Sequence, residues 1–294
     1  MRAGWIWLAR AWLLLALWPS PGQAAQQGRG CDALRAISYN IRLDLASDGD
    51  NSWSRRKELV VALLRHEAPD LLGMQEVLVG QKRDLELALP DYAMVGVARD
   101  DGREKGEYSP IAYRRDRFAL INSGTFWLST TPSTPSKSWD AAFPRIATWA
   151  ILRDRKCRLS LRVLNTHFDH VGTVARRESA ALISRWLAQG SRAELPTILM
   201  GDLNSPPADA GYRLLAESSI GLRDARLVSR APAYGPPGTF NAFSIDANAP
   251  APIDHIFVSG GFGVERYAVV TQHWGGRLPS DHYPVVADLL LNRR

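Results

Sequence analysis

Short apolar runs alternate with amphipathic helical patterns along most of the chain. Apolar residues recur at helical spacing in residues 54–66, 79–89 and 175–188. Strands are predicted at residues 34–41, 71–76, 108–113, 118–127, 145–153, 158–167 and 196–200, with a hairpin turn at residues 154–156. Because strands outnumber helices and turns recur often, the pattern favours an α/β fold in which two packed β-sheets are flanked by helices.

The pattern continues to the end of the chain without a repeat, a low-complexity tract or a Ser/Gly linker. The 294 residues are 46% hydrophobic, which is enough for one large core or two small ones. We therefore expect a single domain over residues 25–294. Two segments rich in turn-forming residues, 128–144 and 229–252, are expected to be ordered surface loops.

The first 24 residues are typical of a secretory signal peptide. Arg2 and Arg10 precede the apolar run of residues 11–18, and small residues surround the expected cleavage after Ala24. A membrane anchor is the alternative, but this run is much shorter than the roughly 20 apolar residues of a spanning helix. The sequence therefore predicts an exported protein, periplasmic or secreted, with no stable membrane anchor.

Net charge limits the binding partners to be expected, and the two cysteines depend on the redox compartment. The formal charge of +6 falls to +4 once Arg2 and Arg10 are removed, and no lysine- or arginine-rich block marks a nucleic-acid-binding tail. Cys31 and Cys157 lack the spacing of a zinc or redox motif. In an oxidising compartment they form either one disulfide or two isolated buried thiols. The mature chain is expected to be a monomer.

Polar side chains follow several of the apolar strands. Asp202 and Asn204 stand two residues apart after a buried strand, and alternation along that strand would turn both toward one pocket. The other polar strand ends are Asn40, Glu76, residues 165–169 and the Asp-His pairs at 254–255 and 281–282. An acid and an amide at this spacing indicate half of a site that cleaves phosphate esters.

Six motifs carry these polar strand ends. They are Ser-Tyr-Asn-Ile-Arg at 38–42, Gly-Met-Gln-Glu-Val at 73–77, Asn-Thr-His-Phe-Asp at 165–169, Gly-Asp-Leu-Asn-Ser at 201–205, Ile-Asp-His-Ile at 253–256 and Ser-Asp-His at 280–282. In this order they resemble the endonuclease/exonuclease/phosphatase superfamily, and residues 106–114, 123–129 and 139–149 resemble its exported bacterial branch. The resemblance implies the deoxyribonuclease I-like fold, a four-layer α/β/β/α sandwich.

The resemblance also implies catalytic roles for the matching residues. Asp202 would align or deprotonate the attacking water, and Asn204 would bind a non-bridging phosphate oxygen. His167 would donate to the phosphate or to the leaving group. His282, held by Asp254, would act as a general base or as a cation that stabilises the phosphate.

Oxygen ligands for a divalent cation are also present. Glu76 is the best candidate ligand, Asn40 supplies a neutral oxygen and Asp281 a further carboxylate, a set that suits Mg²⁺ or Mn²⁺ better than zinc. Arg42 stands where many nucleases of the superfamily carry an acid, which favours one main metal or contact of the guanidinium with phosphate. A structural ion pair is the alternative for Arg42.

Three further residues are candidates for substrate binding. Arg145 begins an apolar strand, and Asp169 and His170 follow the strand that ends at His167. A structural ion pair is the alternative for Arg145. His167 and His170 could form a zinc pair, but no third ligand is evident. His255 is expected to be structural.

Together these features predict an exported, metal-dependent phosphoesterase acting on a phosphodiester or phosphomonoester. A small-molecule, lipid-headgroup or sugar phosphate is favoured, because basic stretches are limited to residues 55–57 and 114–117. An endo- or exonuclease is the alternative. A non-catalytic binding module would be expected to have lost Glu76, Asp202 or His282, and a serine hydrolase would need a Gly-x-Ser-x-Gly elbow that the sequence lacks.

Overall fold

The computed structural model describes Met1, Cys31 and residues 33–189, 194–247 and 249–292. The predicted signal peptide, residues 1–24, lies outside these residues apart from Met1. Within the described part of the chain, none of the helices has the length and apolar character needed to cross a membrane.

Strands and helices alternate along the described residues. The strands are β1 (Leu34–Asn40), β2 (Leu71–Gln75), β3 (Tyr92–Val95), β4 (Ile111–Arg114), β5 (Phe118–Trp127), β6 (Ile146–Asp154), β7 (Ser160–His167), β8 (Thr197–Asp202), β9 (Arg223–Asp224), β10 (Asp254–Val258), β11 (Phe262–Val269) and β12 (Val285–Leu291). The helices are α1 (Trp53–Glu67), α2 (Val79–Ala88), α3 (Thr173–Leu187), α4 (Ala210–Ala216) and α5 (Ala225–Val228), with a short 3₁₀ helix at Ala46–Asn51.

The strands form two six-stranded sheets, in the orders β11-β12-β1-β2-β4-β3 and β5-β6-β7-β8-β10-β9. Each sheet contains one parallel pair of strands, β1 with β2 in the first and β7 with β8 in the second. All other neighbouring strands are antiparallel. The antiparallel pairing of β6 with β7 confirms the predicted hairpin at residues 154–156. In each parallel pair the carboxyl ends of the two strands lie side by side, which places the following residues at one edge.

Alternate side chains of the central strands enter different layers of the core. Ala36 of β1 and Ile198 of β8 lie in the cluster between the sheets. Ile37, the next residue of β1, packs with α1 and α2, and Leu199 of β8 packs with α3 and α4. Side chains on both faces of these strands are therefore buried. The result is the predicted α/β/β/α sandwich.

The two sheets are in close contact at Gly73. A Cβ atom at this position would lie 2.5 Å from Sδ of Met200 and 2.8 Å from Oδ1 of Asn165. Asn165 also joins the sheets, because its Nδ2 donates to the carbonyl oxygen of Met74 at 2.7 Å and its Oδ1 accepts from Gln75 at 2.6 Å. Asn165, a polar residue at a predicted strand end, thus holds the sheets together.

Cys31 and Cys157 form a disulfide, with their Cα atoms 5.1 Å apart. Both residues are buried in the cluster between the sheets. The bond joins the segment before β1 to the turn before β7, across 126 positions of sequence. Of the two alternatives left by the sequence, the structure therefore contains the disulfide.

Candidate active site

The polar strand ends meet at one edge of the two sheets and surround an open cleft of about 530 Å³. Asn40 ends β1, and Glu76 directly follows the parallel strand β2. His167 and Asp202 end the parallel strands β7 and β8 and lie opposite each other. Asp254 begins β10, which runs antiparallel to β8 and pairs Asp254 with Asp202. Strand register places these side chains at the edge of each sheet, and packing of the two sheets brings the two groups together.

Three residues of the cleft have left-handed backbone conformations, with φ of 58° at Arg42, 61° at Glu76 and 46° at Asn204. Such conformations are unfavourable for residues with a Cβ atom and concentrate at functional sites. Hydrogen bonds to the preceding polar side chains hold two of them: Arg42 N donates to Asn40 Oδ1 at 3.0 Å, and Asn204 N donates to Asp202 Oδ1 at 2.9 Å. The predicted strand alternation from Asp202 to Asn204 is therefore wrong, because β8 ends at Asp202 and an Asx turn directs Asn204 to the cleft.

The carboxylate of Asp202 lies at the centre of the site. Its Oδ2 accepts a hydrogen bond from Asn40 Nδ2 at 3.0 Å and lies 3.4 Å from Nε2 of His167 and 3.8 Å from Nε2 of His282. Burial, together with the negative charge of Asp254, raises the pKa of Asp202 to about 7. Asp202 can therefore take up a proton near neutral pH, as a general base requires.

His282 forms a buried pair with Asp254, with Nδ1 lying 2.8 Å from Oδ2. Burial opposes a positive charge on the imidazole, but Asp254 and Asp202 outweigh it and raise the pKa of His282 to about 10. The imidazole is then protonated at neutral pH. Of the two roles implied for His282, this charge state favours the phosphate-stabilising cation over the general base.

The surroundings of His167 shift its pKa in the opposite direction to that of His282. Burial, followed by the nearby charge of Arg145, lowers the pKa of His167 well below its ordinary value, so the ring is neutral. Asn204 Nδ2 lies 3.1 Å from Nε2 of His167 and also donates to the carbonyl oxygen of Phe168 at 3.0 Å. If Nε2 accepts from Asn204, the proton of His167 resides on Nδ1, which lies 3.8 Å from Oε2 of Glu107.

Carboxylates gather on the side of the cleft next to β1 and β2. Glu76 accepts from Asn40 Nδ2 at 2.9 Å and from Leu43 N at 3.1 Å. Asp281 Oδ2 lies 3.6 Å from Nη1 of Arg42, and burial, with a further contribution from Glu76, raises the pKa of Asp281. These oxygen donors and their mutual repulsion fit a hard divalent cation such as Mg²⁺ or Mn²⁺.

A second group of potential ligands consists of Asp202, Asp254 and His282. One ligand atom from each lies within 4.8 Å of the others, and all three residues are buried. His282 is protonated and hydrogen-bonded to Asp254. Its positive charge therefore already balances part of the negative charge of this group. The side formed by Glu76 and Asp281 is therefore the better candidate for a metal. The expected ligand role of Asn40 is not supported, because its Nδ2 faces Glu76 and its Oδ1 accepts from Arg42 N.

Arg42 and Arg145 both line the cleft, and both are also held in ion pairs. Arg42 donates two hydrogen bonds to Asp48, at 2.9 and 3.0 Å. Arg145 donates to Asp169 at 3.3 Å, and its Nη2 lies 3.1 Å from Nδ1 of His170. The substrate-binding and ion-pair interpretations of these arginines are therefore compatible.

Asp169 lies behind Arg145, and its side chain is 1% exposed. Its two oxygens accept hydrogen bonds from the backbone amides of Ala142, Phe143, Val171 and Gly172. Despite burial, these bonds and the charge of Arg145 lower the pKa of Asp169 to about 2. The carboxylate, predicted to bind substrate, is directed away from the cleft, and it fixes the loop that carries Phe143.

His255 lies in the core as expected, whereas His170 lies at the cleft. His255 is 1% exposed, with Nε2 2.9 Å from the carbonyl oxygen of Ser205 and Nδ1 3.5 Å from Asp224. His170 lines the cleft, where its Nδ1 faces Arg145. Within the described residues, three potential metal-binding side chains come together only in the buried group containing His282, so the zinc pair of His167 and His170 is not supported.

Several residues of the cleft were missed by sequence reasoning. Glu107 and Phe143 lie in segments that carry the family resemblance, but neither ends a strand, so the pattern of polar strand ends does not mark them. Phe240 comes from the long loop predicted at residues 229–252. Arg56 of α1 is 1% exposed and donates to the carbonyl oxygens of Ile41 and Arg42, which holds the loop after β1.

Comparisons with known proteins agree with this architecture. The model of the endonuclease/exonuclease/phosphatase family matches residues 37–282. A mannosyl-6-phosphatase of Bacteroides thetaiotaomicron is 38% identical, with a TM-score of 0.83 over 87% of this chain and 99% of that chain. A family protein of the same organism is 36% identical, with a TM-score of 0.85 over 89% and 98% of the two chains. An uncharacterized protein of Acanthamoeba polyphaga mimivirus is 30% identical over 119 residues, which span 35% of this chain and 17% of that protein. The chain belongs to the endonuclease/exonuclease/phosphatase family.

Proposed function

We propose that this chain is an exported, divalent-metal-dependent phosphoesterase that hydrolyses a small-molecule phosphate ester, with a monoester favoured. The observation that carries the proposal is the convergence on Asp202 of Asn40, His167 and His282, within 3.0, 3.4 and 3.8 Å. The 38% identity to a mannosyl-6-phosphatase supports a phosphomonoester substrate.

Asp202, His282 and His167 have different roles in the proposed hydrolysis. Asp202, with a pKa of about 7, accepts a proton from water as the water oxygen attacks phosphorus. His282 supplies a positive charge that stabilises the phosphoryl oxygens. The bond between phosphorus and the alcohol oxygen breaks, and its electron pair stays on that oxygen. The oxygen takes a proton from water while His167 donates a hydrogen bond to it.

Glu76 and Asp281 would hold the divalent cation, and Asn40 would position Glu76, because its Nδ2 donates to that carboxylate while its Oδ1 accepts from Arg42 N. When bound, the cation would neutralise charge on the phosphoryl oxygens and orient the phosphate for attack. Arg42 lies beside these ligands and can form a further contact to phosphate, since its guanidinium is only partly used by Asp48. Asn204 would need to exchange its contact with His167 for one to a phosphate oxygen, because both hydrogens of its amide are engaged.

A nuclease is the second candidate function. Nucleic acid requires cations along a groove and aromatic side chains for successive bases. The arginines that line this cleft are paired with carboxylates, and acidic residues surround them. This charge balance favours a small substrate held by one phosphate over a polyanion. Retention of Glu76, Asp202 and His282 argues against a non-catalytic binding module.

Export is part of the same proposal. The disulfide between Cys31 and Cys157 supports it, because structural disulfides persist mainly in oxidising compartments. The predicted signal peptide precedes the first described strand. Expression of the full chain in a bacterium, followed by cell fractionation and determination of the mature amino terminus, tests it. Export predicts a mature chain that begins at Ala25, whereas an uncleaved cytoplasmic chain would contradict it.

A substrate panel tests the activity. Purified residues 25–294 are assayed with Mg²⁺ against hexose phosphates, glycerol phosphate, a phospholipid, single-stranded DNA and RNA. We expect the small monoesters to be hydrolysed with the highest kcat/KM. Faster cleavage of DNA or RNA would favour the nuclease, and absence of hydrolysis on the whole panel with Mg²⁺ or Mn²⁺ would overturn the phosphoesterase proposal. Asp202→Asn serves as the inactive control.

A further inference from the structure

One wall of the cleft takes no part in the chemistry proposed above. Glu107, Phe143 and His170 all line it. Arg99 connects two of them, because its Nη2 lies 2.7 Å from Glu107 Oε1 and its guanidinium carbon lies 5.0 Å from the Phe143 ring centroid. The Phe143 ring stacks on His170 at 5.9 Å, and His170 contacts Arg145. We call these five residues the Glu107 wall.

Buried polar atoms at this wall point to a polar ligand. Arg145 and His167 are 5% and 7% exposed, and both line the cleft. Among the described residues, neither Nη1 of Arg145 nor Nδ1 of His167 has a hydrogen-bond partner. A buried donor without a partner costs free energy, so these atoms are expected to bind a ligand atom. Both are donors when His167 carries its proton on Nδ1. His167 would donate to the leaving oxygen of any ester, so Nη1 of Arg145 is the donor that a further group of the alcohol would meet.

Glu107 adds an acceptor to the two donors. Its side chain is 14% exposed, and burial raises the pKa of its carboxyl. A hydroxyl group both donates and accepts hydrogen bonds, and therefore matches a wall that offers donors and an acceptor together. A hydrocarbon or aromatic alcohol would leave Nη1 of Arg145 unpaired.

The charges of the wall select against a second anionic group. Arg99 is paired with Glu107 at 2.7 Å, and Arg145 is paired with Asp169 at 3.3 Å. Another phosphate or carboxylate would therefore meet a carboxylate at Glu107 and cations that are already compensated. The wall fits an uncharged group better than a nucleotide chain.

Exposed aromatic rings border the same space. Phe143 is 48% exposed and Phe240 is 41% exposed, although both line a cleft formed mainly by polar residues. Phe240 meets the His282 ring edge-on at 5.2 Å, which places it beside the catalytic pair. Apolar rings next to hydrogen-bonding groups suit a molecule with C–H faces and a rim of hydroxyls. Sugars have this distribution.

We infer that the Glu107 wall is the leaving-group subsite, and that it binds the hydroxyls of an uncharged sugar whose phosphate monoester is cleaved at Asp202. This inference rests on the proposed phosphoesterase function. Glu107 and Arg145 bind hydroxyls, and Phe143 supports a C–H face of the ring. Specificity arises because an alcohol without hydroxyls leaves Nη1 of Arg145 unpaired and gives Glu107 no donor.

Two matched substrates test the inference. Hexose 6-phosphate and cyclohexylmethyl phosphate are both six-membered rings with a phosphate on a primary alcohol, but the second lacks ring hydroxyls. We expect the wild-type chain with Mg²⁺ to prefer the hexose ester at least about 100-fold in kcat/KM. Glu107→Gln should reduce this preference about tenfold, mainly through a higher KM for the hexose ester, and Phe143→Leu should also reduce it.

Glu104→Gln is the matched control, because Glu104 is exposed and paired with Arg83 on the surface. It should retain the wild-type preference, and thermal unfolding checks that each variant folds. Equal wild-type rates on the two esters would overturn the inference, as would an unchanged preference in folded Glu107→Gln. Faster cleavage of a thymidine oligonucleotide than of the hexose ester would show that the Glu107 wall binds nucleic-acid bases, and would overturn the inference. Absence of hydrolysis of every ester would instead overturn the proposed function itself.

Discussion

Nδ1 of His282 lies 2.8 Å from Oδ2 of Asp254, whereas His255, the next residue after Asp254, lies 3.5 Å from Asp224. Asp254 and His255 are neighbours in β10, so their side chains point to opposite faces of the sheet. One faces the cleft and the other faces the core beneath α4. Each member of this Asp-His sequence therefore pairs with a residue from another part of the chain.

His282→Ala should lower kcat by about 10² or more, because it removes the positive charge next to Asp202. Steady-state phosphate release measures this loss. His255→Ala is the control, since His255 is buried outside the cleft and its loss should affect stability more than kcat. Equal decreases in kcat for the two folded variants would show that the catalytic pair is misassigned.

Removal of divalent ions should abolish turnover, and Mg²⁺ or Mn²⁺ should restore it. The reason is the pair of carboxylates formed by Glu76 and Asp281, which repel each other without a cation. Titration calorimetry gives a readout independent of activity: Glu76→Gln should weaken Mg²⁺ binding at least about tenfold. Full activity after exhaustive chelation would contradict this prediction.

The sequence predicted most of the architecture, since long strands such as β5 and helices such as α1 and α3 have strong periodicity. It did not assign β3, β11 or β12. β3 has four residues of intermediate burial, and the apolar run of β12 has no alternation because both of its faces are buried or partly covered. Pairing of β12 with β1 depends on contacts between opposite ends of the chain, which local pattern does not reveal.

The candidate site was predictable where polar residues end strands, as at Asn40, Glu76 and Asp202. It was not predictable where loops supply the side chain. Glu107 and Phe143 reach the cleft through irregular segments held by long-range contacts, such as the bonds from the 142–143 amides to Asp169. Asp169 is the opposite example: it follows a strand and was expected at the site, but its side chain accepts hydrogen bonds from backbone amides instead.

Asp169 should make stability depend on acid pH. Its pKa is lowered from 3.8 to about 2 in the folded chain, so its contribution is complete above about pH 5 and is lost as the pH falls toward 2. The shift corresponds to about 2 kcal/mol in the free energy of unfolding. Urea unfolding of wild type and Asp169→Asn should differ most near pH 6, and the difference should narrow toward pH 3. A constant difference in the free energy of unfolding between pH 6 and pH 3 would show that the charge of Asp169 does not stabilise the fold.

The disulfide should stabilise the fold without assisting the chemistry. Replacing Cys31 and Cys157 by serine should lower the free energy of unfolding by about 2–4 kcal/mol and leave kcat unchanged, because the bond lies in the core between the sheets. Thiol labelling of the denatured, unreduced wild-type chain should detect no free thiol. Two free thiols in the wild-type chain would contradict the bond.

The proposed mechanism depends most on Asp202, which would accept a proton from the attacking water. The most direct test is the kcat for phosphate release from a phosphomonoester by wild type and Asp202→Asn at saturating Mg²⁺. The amide keeps the shape and the contact to Asn204 but cannot accept the proton, so kcat should fall by about 10² or more while unfolding stays cooperative. A folded Asp202→Asn variant with wild-type kcat would contradict the account.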